Sequence, residues 1–368
     1  MALPRVAAFT DTYLPTVNGV TYTVETWRDR WVARGGRMNV VYPRSEHEPG
    51  DGEHPVRSLP FPFYDGFRIG SPSVPRAVGD VDVVHAHTPF ALGLAARRLS
   101  RTQSIPLVAS YHTPTSEYAT YVSSLRPVRS TVEGLATAYE KWYLRRADAV
   151  LAPSETTAGH IVDELGVDTR VEVLPNGVDI DFFRPVETAE FRARHGLPDG
   201  PLVGYTGRHG YEKRLEDIVR AAEGIDDVTL VFGGDGPAKS AVQAAASEAD
   251  VDARFLGFLD REELPAFYSA LDVFAFPSPV ETQGLVALEA NACGTPVVGV
   301  DSGALRTTVR EGETGYRYAA GDLVAFSDGI ERALTEYDAL RENCLDRREA
   351  TSVEHSVDRL AKIYRSVR

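Results

Sequence analysis

The stretch ETQGLVALEANACGTPVV, Glu281 to Val298, decides the reading of this chain. It opens on an acid, passes a glycine into the helix-forming run LVALEANA, turns through small residues, and enters an apolar strand. Loop, helix, turn and buried strand in succession are the repeating unit of a parallel sheet covered by helices. Pro277 and Pro279 prevent a regular helix upstream, so the helix is predicted to begin near Gln283 or Gly284. Glu281 then lies in the approach loop and Glu289 inside the helix. The N–H groups of Gly284 and Leu285 are free at that terminus and make a seat for a phosphate. The competing reading makes Glu281 a charge that complements the helix dipole and Glu289 a solvated helix residue.

The same alternation extends in both directions. RVAAFT, MNVVYP, VDVVHAH and PLVASYH are short apolar runs separated by helix-like stretches, and AVLAPS and VEVLPNG follow the helical pattern from Ser130 to Ala147. Residues 1–175 read as one doubly wound domain. Periodicity stops in LPNGVDIDFFRP, a Pro/Gly/Asp-rich linker, and a second series runs from PLVGYTG through GYRY, giving a second doubly wound domain over residues 176–352. The amphipathic stretch 353–368 either completes the second domain or packs back onto the first. A length of 368 residues suits two domains, and two domains imply a cleft.

Composition excludes several classes. The chain is 43% hydrophobic and 25% charged, as a folded protein is. No window approaches the roughly 20 apolar residues of a spanning helix, and the start lacks a signal peptide's features, so a cytoplasmic location is expected. Cys293 and Cys344 provide neither a disulfide framework nor a zinc cluster, and both read as reduced and structural. A net charge of −14 argues against nucleic-acid binding. Lysine occurs only at positions 141, 213, 239 and 362. Abundant acid with scarce lysine suits the salt-loaded cytoplasm of a halophile, although a GC-rich genome explains the lysine count as well.

Chemistry in open parallel sheets collects at the carboxyl ends of the strands. In GRHGYEKRLED, Arg208 and Lys213 follow the strand PLVGYTG, where two cations and a helix N-terminus would neutralise a diphosphate. The alternative is surface charge, with Lys213 paired to Glu212 or Glu216. Gly19, in TYLPTVNGV, lets backbone approach a phosphate or serves a plain turn or helix cap. GGDGP has too few glycines for a dinucleotide fingerprint and reads as a turn.

GRHGYEKR resembles the G-R-x5-K element, and PSPVETQGLVALEANACGTPVVG the E-x7-E element, of the retaining glycosyltransferases of family 4, which have the GT-B fold. LPNGVD, FGGDGP and FTDTYLPTVNGV are also similar to that family, so the likeness covers nearly the whole chain. The opening and SYHTPTSEY are similar to a subgroup that includes mannosyltransferases and sulfoquinovosyl- or glucosyl-diacylglycerol synthases. The resemblance implies a UDP- or GDP-linked sugar as donor substrate, no cofactor and no required metal. Glu281 would hold donor-sugar hydroxyls and Glu289 the ribose. Arg208 and Lys213 would hold the diphosphate, helped by Gly19 from the opposite domain, and backbone around Phe258 and Leu259 would face the base. His112 matches the family's histidine near the reacting sugar, and Asp11, Tyr13 and Asn18 lie on the acceptor side. Many members carry an aromatic where Gln283 stands, which leaves donor identity open.

Other readings of these residues compete. His112 taken alone reads as a core or cleft-wall histidine bonded to backbone. His85 and His87 would share one side of a strand end, but no carboxylate or cysteine completes a zinc site with His112. Asp80-Val-Asp82 imitates a metal motif of the other glycosyltransferase fold and reads here as a helix-to-strand turn. A pyridoxal phosphorylase would need a Schiff-base lysine, and a nicotinamide dehydrogenase a G-x-G-x-x-G that TVNGV lacks. A GT-B epimerase or a non-catalytic nucleotide-sugar-binding protein would also use a diphosphate seat of this kind. Leu125 to Arg146 is basic and aromatic, with Arg126, Arg129, Lys141, Arg145, Arg146, Tyr139, Trp142 and Tyr143. It suits an anionic membrane surface and a lipid acceptor, or else is an ordinary helix burying its aromatics.

Overall fold

The computed structural model describes residues 2–16, 18–61, 68–112 and 126–368, with the side chains of residues 126–131 outside that description. Val17, Leu125 and all but the first three residues of SYHTPTSEY therefore lie outside the described residues. The chain divides into two units, Met1–Asn176 with Val353–Arg368, and Gly177–Ser352.

Unit 1 is built on a parallel sheet of order β3-β2-β1-β6-β7-β8-β9. Its strands are β1 (Arg5–Phe9), β2 (Arg37–Pro43), β3 (Glu53–Val56), β6 (Val83–Ala86), β7 (Leu107–Ser110), β8 (Ala149–Ala152) and β9 (Val171–Val173). A small antiparallel pair, β4 (Ser58–Pro60) and β5 (Arg68–Gly70), lies outside it. The strands read as unbroken apolar runs because both faces are covered. Ala7 and Phe9 belong to one core cluster and Val6 and Ala8 to the other, as the two-residue period of a strand requires. Helix α1 (Gly19–Ala33) buries Trp27 and Trp31 on the face of Val6 and Ala8, and α2 (Ala91–Gln103) buries Leu92, Ala96 and Leu99 on the other. Helix α3 is Arg126–Leu144. Asp82 accepts from the Arg5 N–H at 2.8 Å and pairs with its guanidinium, so the Asp80-Val-Asp82 turn serves the start of β1.

The closing helix, Val353–Ser366, belongs to unit 1. Val353, Val357, Leu360 and Tyr364 recur on one face and enter the cluster that holds Trp31. Arg30 and Arg34 of α1 pair with Glu354 and Asp358 along its flank.

Unit 2 carries a six-stranded parallel sheet of order β12-β11-β10-β13-β14-β15. The strands are β10 (Leu202–Thr206), β11 (Thr229–Gly233), β12 (Ala253–Gly257), β13 (Val273–Phe276), β14 (Val297–Val300) and β15 (Gly315–Tyr318). Helix α4 (Leu285–Ala292) joins β13 to β14. The segment read as a linker is ordered from Gly177 onward. Phe183 is buried, and the Arg348 guanidinium donates to the carbonyls of Ile180 and Phe183. Its composition signals irregular backbone, which hydrogen bonds to distant residues hold in place.

Strand order reverses between β1 and β6 in unit 1 and between β10 and β13 in unit 2. At such points neighbouring loops leave the sheet in opposite directions and open a crevice. The loops after β10 and β13 are those that carry Arg208, Lys213, Glu281 and Gly284.

Candidate active site

The loop after β13 is set by its own residues and by the segment after β14. Ser302 Oγ donates to the Pro279 carbonyl at 3.0 Å, the Ala304 N–H to the Glu281 carbonyl at 3.1 Å, and Thr308 Oγ1 to the Gln283 carbonyl at 2.7 Å. Gly284 is the N-cap of α4 with φ +72°, a left-handed conformation that glycine adopts without strain. A Cβ there would also come within 2.9 Å of Leu305 Cδ2. No side chain caps α4, so its first turn keeps amide donors at a positive dipole end.

Lys213 ends the short turn Tyr211–Lys213 after β10. Its Nζ donates to Glu281 Oε1 at 2.6 Å and approaches Ser278 Oγ at 3.5 Å. Both side chains of the pair are largely buried. Two expected site residues from loops 68 positions apart are thereby joined, immediately ahead of α4. Lys213 pairs with neither Glu212 nor Glu216. Glu212 instead takes Arg208, whose side chain is half exposed.

Glu289 is not a solvated helix residue. It is 8% exposed, and its Oε2 accepts from the Tyr268 hydroxyl at 2.8 Å. Burial pushes its carboxyl up to about 7, against the opposing pull of that hydrogen bond. Phe258, just past β12, is 80% exposed, whereas Leu259 is buried near the end of β11.

His209, between the two cations, went unassigned in the sequence. It is fully buried, its Nε2 lies 3.1 Å from the Gly233 carbonyl, and its backbone N–H donates to the Asp235 carbonyl at 2.8 Å. Its own carbonyl accepts from the Ala238 N–H. Because a carbonyl only accepts, Nε2 carries the proton. Burial lowers the pKa of the ring and favours the neutral form. GGDGP is thus a turn that also docks the cation loop: a Cβ on Gly234 would fall 2.0 Å from the Gly207 carbonyl oxygen.

In unit 1 the expected residues divide. His112, two residues past β7, is bonded through Nε2 to His87 Nδ1 at 3.1 Å. Both nitrogens of His85 go to Tyr364 and Ser110 hydroxyls, so the three rings do not aim at one metal position. Asp11 is buried, with one carboxylate oxygen accepting from Thr88 Oγ1 and the other from the Leu92 N–H of α2. Desolvation raises its pKa to about 6. Tyr13 turns its hydroxyl inward to Glu53 at 2.9 Å. Asn18 caps α1 by accepting from the Val20 and Thr21 N–H groups, and Gly19 is the first residue of that helix. These three acceptor-side candidates thus hold the loop ends with the polar atoms named here.

On α3, Tyr143 donates to the Gly93 carbonyl and Tyr139 to the Pro89 carbonyl, so Tyr143 is buried and Tyr139 half-buried against the start of α2. Trp142 remains partly exposed, with the Arg97 and Arg146 guanidinium carbons 5.0 and 4.4 Å from its ring centroid. The tyrosine contacts are those the ordinary-helix reading expects. No group of three or more His, Cys, Asp or Glu side chains able to hold a metal occurs among the described residues. No described helix is long and apolar enough to cross a membrane.

Two doubly wound parallel units, one of which gathers a buried cation, a carboxylate and an uncapped helix N-terminus where its strand order reverses, define the GT-B class of sugar-transferring proteins. Residues 17–182 match Glycosyltransferase Family 4, and residues 187–350 match Glycosyl transferases group 1. The chain is 33% identical over 349 residues to the GDP-mannose-dependent alpha-mannosyltransferase of Mycolicibacterium smegmatis, spanning 90% of this chain and 86% of that one. It is 31% identical over 282 residues to the sulfoquinovosyl transferase of Arabidopsis thaliana, spanning 73% of this chain and only 53% of that relative's length. Sucrose-phosphate synthase from Thermosynechococcus elongatus shares the fold, with a TM-score of 0.81 at 23% identity over 99% of this chain and 98% of the other. The chain belongs to the family 4 glycosyltransferases of the GT-B fold.

Proposed function

We propose that this protein is a retaining hexosyltransferase that works without a bound metal, moving a hexose from a UDP- or GDP-linked sugar to a hydroxyl of a membrane lipid or a glycan. The observation that carries the reading is the 2.6 Å bond from Lys213 to Glu281 beside the uncapped start of α4. It supports one compact seat in unit 2 where a cation and amide donors meet the diphosphate while a carboxylate accepts from the sugar hydroxyls. Arg208 adds a second cation to the diphosphate. With Oε2 held by Tyr268, Glu289 takes the ribose hydroxyls through Oε1, and the backbone at Phe258 and Leu259 faces the base.

As the bond from C1 to the diphosphate oxygen breaks, its electron pair stays on the leaving group and the sugar becomes oxocarbenium-like. Arg208, Lys213 and the α4 amides are placed in advance to meet that charge, so they stabilise the transition state more than the bound donor. The acceptor oxygen bonds to C1 on the face the leaving group departs, and its proton passes to the departing diphosphate oxygen. A product of opposite anomeric configuration would exclude this course.

Lys213→Ala removes one such donor, which costs on the order of 3 kcal/mol, roughly a hundredfold in turnover. Steady-state kinetics should show kcat falling further than donor affinity. Wild-type turnover would refute the assignment. The exposed Trp142 between two arginines supports peripheral attachment at the inner face of an anionic membrane. The charge of −14 supports a salt-loaded cytoplasm as its setting.

A further inference from the structure

The loop that carries Glu281 into α4 is held through three alternate carbonyls, and one segment of unit 2 supplies all three donors. Pro279 accepts from Ser302 Oγ, Glu281 from the Ala304 N–H, and Gln283 from Thr308 Oγ1. The two segments pack closely: a Cβ on Gly303, where φ is +52°, would lie 2.9 Å from the Glu281 carbonyl oxygen. The donor segment is in turn fixed to β15, because Arg317 donates to the Arg306 carbonyl at 2.8 Å and to Asp301 at 3.3 Å.

A peptide unit is planar and trans, so an N–H points opposite to the carbonyl that precedes it. Holding carbonyls 279, 281 and 283 toward residues 302–308 therefore turns the N–H groups of Val280, Thr282 and Gly284 away from that segment. At the entry to α4 the holding group is a side chain, the Thr308 hydroxyl, which reaches the Gln283 carbonyl at 2.7 Å across 25 positions. A threonine in a helical turn readily returns its hydroxyl to a carbonyl of that same turn. Thr307 does so, donating to the Ala304 carbonyl at 3.0 Å, whereas Thr308 spends its hydroxyl on the distant loop.

We propose that Thr308 is a positioning residue for the donor, its hydroxyl aiming the Gly284 N–H at the diphosphate by holding the Gln283 carbonyl. This role rests on the reading of the α4 start as the diphosphate seat. Without the hydroxyl the carbonyl loses this donor, and the peptide plane is free to turn and carry the Gly284 N–H off its line. A donor aimed in advance needs no reorientation when charge grows on the leaving oxygen.

Gln283–Gly284 is the one Gln-Gly step in the sequence, so the full chain labelled with carbonyl-13C glutamine and 15N glycine gives a single carbonyl–amide correlation, from this peptide. Wild type is compared with Thr308→Val, which keeps the shape without the hydroxyl, and Thr308→Ser, which keeps the hydroxyl. In wild type the Gly284 amide signal should move when UDP or GDP binds. In Thr308→Val the Gln283 carbon should shift before nucleotide is added, the amide response should shrink, and calorimetry should show affinity lower by about 10-fold. Thr308→Ser should behave as wild type. A merely structural hydroxyl would lower the number of binding sites, through fewer folded molecules, and leave the affinity unchanged; that result overturns the role. So does an unmoved Gln283 carbon, or an equal loss of affinity with Val and Ser. Thr308→Ala provides the same test if Thr308→Val does not fold. A wild-type Gly284 signal that ignores bound nucleotide would instead overturn the diphosphate seat itself.

Discussion

Glu289 shows how one side chain reports its surroundings. A helical glutamate within an alternating pattern looks solvated, yet α4 is buried on nearly every side and Glu289 bonds to Tyr268 in the interior. Its pKa is raised in the fold to about 7 from an ordinary 4.5, so the fold favours the neutral acid. That contribution is fully present below the unfolded value and is lost as pH rises through 7, with a magnitude on the order of 3 kcal/mol. Glu289→Gln keeps an acceptor for Tyr268 and cannot ionise. Its melting temperature relative to wild type should therefore rise from pH 5 to pH 8, and a constant gap would exclude a perturbed Glu289. The buried histidines have the opposite sign, losing their contribution as pH falls from about 6.5, and they cancel in this comparison. The positions of Lys213 and Glu281 in loops at strand ends were legible in the sequence, but their direct pairing was not, because it joins two loops far apart in sequence.

At the scale of elements, the loop after β10 and the turn after β11 act as one piece. Gly234 and Gly257 both have positive φ, but only Gly234 is crowded by backbone. Gly257→Ala meets open space and should cost only conformational strain, about 1–2 kcal/mol, with nucleotide affinity unchanged. Gly234→Ala must push the Gly207 carbonyl away, shift Arg208, and weaken UDP or GDP binding in calorimetry. Equal binding by the two variants would separate the turn from the cation loop. Trp142 of helix α3 offers a second test through the two arginines over its ring, Arg97 of α2 and Arg146 just past α3. Wild type should co-sediment with anionic vesicles, and Arg97→Gln with Arg146→Gln should reduce the bound fraction severalfold. Vesicle binding that ignores these charges would remove membrane contact through this face. Strands and helices were legible here because hydrophobic period is a local property. The docking of GGDGP and the inward turn of Asp11 and Tyr13 were not, since each depends on partners brought together by the sheet.

Across the whole molecule the chain folds into two units whose sequences tell their architecture more plainly than their boundaries. Continuous apolar strands announced two parallel sheets, and the sheet order places the suspected cations at a switch point of unit 2. The fate of the last stretch was undetermined in sequence because its amphipathic face suits any apolar surface. Only the contacts of Val353, Val357, Leu360 and Tyr364 assign it to unit 1. A crystal structure of the protein with UDP or GDP would locate the diphosphate. Phosphate oxygens should lie within hydrogen-bond distance of Lys213 Nζ and the first amides of α4. A nucleotide bound elsewhere, with Lys213 and Glu281 still paired and untouched, would contradict it.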